Sequence, residues 1–179
     1  MPSKTRRLVL LSLLLALALI MAYVESFIPL PLPIPGAKLG LPNIVTMVSI
    51  VLLNWPMTLL LVVARVILSG FLFGNMFSII YSLCGGFLSL IVMTLLSRRS
   101  ISITLISVFG AIFHNMGQLI VAALVLQNTN LFFAYFPVLM LIAIPTGIIT
   151  GTAARGLLSL LKKTPYLNDI TEAYRGKLK

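Results

Sequence analysis

The chain has 179 residues, is 60% hydrophobic and only 9% charged, and has a mean hydropathy of +1.14. These values exclude an ordinary soluble domain and point to a polytopic membrane protein. Thirteen basic residues against three acidic ones give a formal net charge of +10, but the basic residues cluster at the ends of apolar segments, where they signal topology rather than nucleic-acid binding. The lone Cys84 excludes an internal disulfide and a cysteine metal site.

Lys4, Arg6 and Arg7 precede an apolar run from Leu8 to Ala22, the pattern of a signal peptide. Five further apolar segments follow, so the run is read as an uncleaved first span. Runs bounded by Pro, Gly, Asn and charge predict six spans near Leu8–Val24, Asn43–Asn54, Pro56–Phe73, Asn75–Leu96, Ile101–Leu126 and Phe133–Leu161. The second, at about 18 Å of helix, is short for a hydrocarbon core of about 30 Å. An alternative joins Asn43 to Phe73 in one span kinked at Pro56.

Charge separates these readings. Six spans put Lys4, Arg6 and Arg7, then Arg98 and Arg99, then Lys162 and Lys163 on one side, whereas five would divide them. The positive-inside rule favours six, with both termini cytoplasmic and Trp55 at the inner interface. Residues 1–163 then form the transmembrane domain. Residues 164–179 form a short tail in which Tyr166, Leu167, Ile170 and Tyr174 share one helical face, suited to lying on the inner membrane surface.

Between the first two spans, Pro29, Pro31, Pro33 and Pro35 alternate with Leu30, Leu32 and Ile34. Such a run favours a stiff, polyproline-like strand without internal hydrogen bonds. Gly36 permits a turn, Lys38 brings a cation, and Asn43 is the expected cap of the next helix. Two readings stay open: a lid over a pocket for an anionic group, or a rigid extracellular connector. Small residues at four-residue spacing, Ala18/Ala22, Gly70/Gly74, Ser78/Ser82 and Gly147/Gly151, predict close helix packing. The pair on the first span could equally dock a partner. Gly85-Gly86 and Pro145 are expected bends.

Few side chains can carry chemistry. Arg65 lies well inside the third span, where an arginine costs roughly 2.5–3.5 kcal/mol, so it should face the interior with a partner. Glu25 is the only acidic residue near a span and is the expected ion-pair partner. In the fifth span His114, Asn115 and Gln118 fall within roughly a 100° arc, which predicts a pocket wall or an interhelical hydrogen-bond cluster. Asn75 and Asn43 are placed to contribute from above. The chain has no Gly-rich phosphate loop, and its single His and single Asp, Asp169, provide no metal or catalytic set. No cofactor is expected.

The stretch from Glu25 through Ile28-Pro-Leu-Pro and Pro35-Gly-Ala-Lys-Leu-Gly-Leu41 to Asn43-Ile44, with His114-Asn-Met-Gly-Gln-Leu119, resembles the bacterial Gx transporter family, also known as heptaprenyl diphosphate synthase component I. The likeness covers nearly all of the chain except the tail. That family is similar to the substrate-binding S-components of energy-coupling factor (ECF) transporters. The resemblance implies an all-α, S-component-like bundle of six helices in the bacterial cytoplasmic membrane. It also implies a pocket capped by the first loop and small residues on helix one, here Ala18 and Ala22, for docking a membrane or ATPase partner.

On that reading a small anionic or amphipathic ligand enters from the outer side beneath the Pro29–Pro35 lid. His114, Asn115 and Gln118 bind its polar part, and Lys38 or Arg65 its charge. The synthase name implies a different role. Prenyl diphosphate synthases use aspartate-rich motifs to hold magnesium and diphosphate, which a chain with one aspartate lacks. It would then be an accessory membrane subunit beside a soluble enzyme, with Arg98, Arg99, Lys162, Lys163 and the tail as its working surface. A structural subunit of a redox complex is a third reading.

Overall fold

In the computed structural model, residues 4–28 and 40–161 are described, and they form six helices without strands: α1 (Lys4–Ser26), α2 (Asn43–Leu52), α3 (Trp55–Phe73), α4 (Met76–Ser97), α5 (Ile103–Val125) and α6 (Asn130–Leu161). All six predicted spans are present as helices. Five of them are long and apolar enough to cross a membrane, so the chain is a helical membrane protein. Large apolar side chains such as Leu13, Phe71, Leu124, Phe133 and Leu141 point out of the bundle, where lipid rather than water is their natural solvent. The tail after Leu161 lies outside the described residues.

Local chemistry sets the breaks. Leu53 is extended and ends α2, which rules out one continuous span from Asn43 to Phe73. Asn54 then caps α3, its side chain accepting from the Met57 amide at 3.2 Å, with Pro56 in the first turn where its missing N–H costs nothing. Asn75 and Ser78 form a reciprocal capping box at the start of α4, and Ser102 caps α5.

The second element is the unusual one. Its ten residues are all buried, so α2 is an internal strut of about 15 Å with the longer helices packed around it. Val45, Met47 and Val48 meet Leu14 and Ala18 of α1, Leu61 and Val62 of α3, Leu90 and Met93 of α4, Ile106 of α5, and Ala154 and Leu158 of α6 in one core. The Ser49 hydroxyl donates within α2 to the Thr46 carbonyl at 2.8 Å, and the Thr58 hydroxyl of α3 donates across to the Ser49 carbonyl at 3.1 Å.

Small residues close the seams. A Cβ on Gly117 would lie 2.8 Å from Gly85 Cα, so α4 and α5 touch backbone to backbone there. On Gly147 and Gly151 it would lie 2.5 and 2.7 Å from the Cα atoms of Val108 and Thr104, which joins α5 to α6. α4 runs continuously through Gly85-Gly86, and α6 through Pro137 and Pro145; at Gly85 the missing side chain allows the close approach of α5.

Candidate functional site

The polar residues of the bundle converge at the N-terminal end of α2. Gly40 has a φ of +84°, a left-handed conformation that favours glycine. This turn aims two backbone amides at the end of α1: Gly40 N–H and Leu41 N–H both donate to the Glu25 carboxylate, the second at 3.3 Å. Pro42, not Asn43, occupies the cap position of α2. Asn43 therefore does not cap the helix. Its side chain turns into the bundle and accepts from Arg65 Nη2 at 3.0 Å.

Arg65 is buried on α3, beside Gly86 of α4: a Cβ there would lie 3.8 Å from Nη2. Glu25, Gly40, Arg65, Ser69, Ser82 and His114 all face one cavity, with Ala22, Pro42 and Val66 completing the wall. Arg65 and His114 thus share one chamber, and Glu25 and Arg65 put opposite charges on it. An arginine at this depth is tolerable only with such compensation.

The chamber is nearly full. Its volume of about 10 Å³ holds roughly one water, so in this state it is a closed polar nest with no room for a substrate. Three buried donors nearby, Arg65 Nε, Ser82 Oγ and Gln118 Nε2, have no hydrogen-bond partner among the described residues, a costly condition in a bundle interior.

The remaining expected site residues separate. Asn115 is directed away, donating to the Leu139 carbonyl of α6 at 3.2 Å. It joins α5 to α6 instead of lining the chamber, because adjacent positions on a helix differ by about 100° in direction. Gln118 lies beside the nest against Gly85. Asn75 is exposed and spends its side chain on the α4 cap. Ala18 and Ala22 face inward, Ala18 fully buried and Ala22 in the chamber wall, so the pair expected to dock a partner packs within its own bundle. The lid residues Pro29, Pro31, Pro33, Pro35 and Gly36, and the cation Lys38, lie outside the described residues.

A second cavity escaped sequence reasoning. It holds about 180 Å³ at the other end of α2, between the α2–α3 turn and the C-terminus of α4, and is lined by Ile50, Leu53, Asn54, Trp55, Thr58, Thr94, Ser97 and Arg98. The signal in the sequence is faint: charge patterning puts Trp55 and Arg98 on the same basic side, but nothing in their spacing brings them together. Among the described residues no group of three His, Cys, Asp or Glu side chains could hold a metal ion.

Comparison with curated proteins found no match, and comparison with solved structures found none either. The sequence profile of one family does match, over residues 14–157, a range that takes in Glu25, Asn43, Arg65, His114 and the whole of α2 to α5. By that match the chain belongs to the heptaprenyl diphosphate synthase component I family.

Proposed function

We propose that the chain is the non-catalytic membrane subunit of a heptaprenyl diphosphate synthase, serving the side chain of menaquinone from the bacterial cytoplasmic membrane with both termini in the cytoplasm. The observation that carries this is the family match across the helical bundle, read with a sequence whose single aspartate is Asp169. Magnesium-bound diphosphate needs several carboxylates or their equivalent, so the chemistry belongs to a soluble partner. The bundle supplies an apolar, membrane-embedded scaffold for a growing polyprenyl chain, and the basic side with Arg98 and Arg99 faces the enzyme.

Reconstitution tests this. Vesicles carrying the full chain are mixed with the soluble synthase subunit and labelled five-carbon diphosphate precursors, and product is followed by chain length. Long polyprenyl diphosphate should form with the chain present, and deletion of Thr164–Lys179 should reduce it. Identical product with empty vesicles would overturn the proposal.

The Arg65 chamber favours a second reading, an S-component-like binder of a small anionic or amphipathic ligand driven by a partner ATPase module. The three unpartnered donors around it support this, provided the chamber opens beyond its closed volume. On this reading Arg65→Ala or His114→Ala weakens ligand binding while membrane insertion is kept. Lost insertion with unchanged affinity in the surviving protein would leave Arg65 and His114 as structural residues.

A further inference from the structure

The second cavity is separate from the Arg65 chamber; its Arg98 lies on the basic side that faces the proposed enzyme, but neither reading above gives the cavity a ligand. Its polar wall is cationic. Arg98 lies at the C-terminal cap of α4, and no described residue engages its guanidinium by hydrogen bond or ion pair. Glu25 is the only carboxylate among the described residues, and it is committed to the other chamber. Among the described residues the positive charge of Arg98 therefore has no counter-charge there.

Donors surround it. The Thr94 hydroxyl is buried and has no hydrogen-bond partner among the described residues. Asn54 uses its side-chain oxygen on the Met57 amide, which leaves its NH₂ to donate, and it stands at the N-terminal, positive end of the 19-residue α3. Thr58 is already satisfied by the Ser49 and Asn54 carbonyls.

The opposite wall is apolar: Ile50 and Leu53 are buried, and Trp55, 43% exposed, forms the rim. A tryptophan at such a rim suits a membrane interface, with one side apolar and the other wet. A cation and free donors on one wall, facing an apolar wall that opens beside a tryptophan, match a molecule that is itself divided in this way.

We propose that this cavity binds the phosphate headgroup of an anionic amphiphile, with Arg98, Thr94 and Asn54 holding phosphate oxygens and the chain leaving past Trp55. Trp55 is the only tryptophan, so its fluorescence reports the site directly. The full chain in neutral detergent is titrated with dodecyl phosphate, with dodecanol and with inorganic phosphate.

Dodecyl phosphate should give a saturable change, and the other two should give none over the same range. Arg98→Gln should weaken the response about tenfold, the scale of one charge-assisted contact. Arg99→Gln, which removes the neighbouring cation, should leave it within about twofold. Thr94→Val gives a second probe if Arg98→Gln fails to fold, with about a threefold loss expected. Equal responses to dodecanol would reduce the site to apolar insertion. Equal binding of inorganic phosphate would overturn the amphiphile, and equal losses in the two arginine variants would replace the site with diffuse surface charge.

Discussion

Two cavities lie at opposite ends of α2, and they handle charge in opposite ways. At the N-terminal end, Arg65 faces Glu25, Asn43 and the amides of Gly40 and Leu41 around a space for about one water. At the C-terminal end, Arg98 faces about 180 Å³ with no carboxylate beside it among the described residues. Each combines an arginine with hydroxyls and an amide, so residue type alone does not distinguish them. Depth and compensation do. An arginine in the bundle interior must be balanced by the chain itself, whereas one at the membrane rim can remain available to a ligand.

The contrast breaks first at Glu25. Glu25→Ala leaves the Arg65 guanidinium without its opposite charge, and we expect a loss of about 3–5 kcal/mol, measured by reversible unfolding in mixed micelles. Replacing both residues with leucine should recover much of this, which would mark the nest as primarily structural. An unchanged stability for Glu25→Ala would mean that the carboxylate is dispensable to the fold.

The α4–α5 seam, which holds His114 against Gly85, comes next. Gly117→Ala places a methyl against the Gly85 backbone and should cost about 1–3 kcal/mol, read as a fall in thermal midpoint in detergent. Asn115→Ala removes one interhelical hydrogen bond, for about 1–2 kcal/mol, and should leave any ligand affinity of the nest unaltered. A specific loss of affinity would return Asn115 to the chamber wall. The smallest effect is expected at Asn75, where Asn75→Ala removes a cap for about 1 kcal/mol and should raise hydrogen exchange in the first turn of α4 alone.

The helices were legible because lipid-facing runs must be almost wholly apolar, and Pro, Gly, Asn and charge punctuate them. The meeting of Arg65, Glu25 and His114 was legible for the same reason: polar groups are so few that those at depth must find one another. Other features were not. The stripe His114, Asn115 and Gln118 reads as one face at the coarse resolution of an arc, but one residue's rotation sends Asn115 to α6. Asn43 follows a proline and looks like a cap, yet the buried guanidinium at Arg65 takes its side-chain oxygen. The cavity around Arg98 depends on two turns more than forty positions apart, about which local patterning is silent.

Identification of what travels with the protein tests the proposed role most directly. The full chain is extracted from its own membrane in mild detergent, and the co-purifying proteins and small molecules are identified by mass spectrometry. A soluble prenyl synthase subunit in fixed proportion is the predicted result. An ATPase module in fixed proportion, with a water-soluble ligand and no synthase, would contradict it.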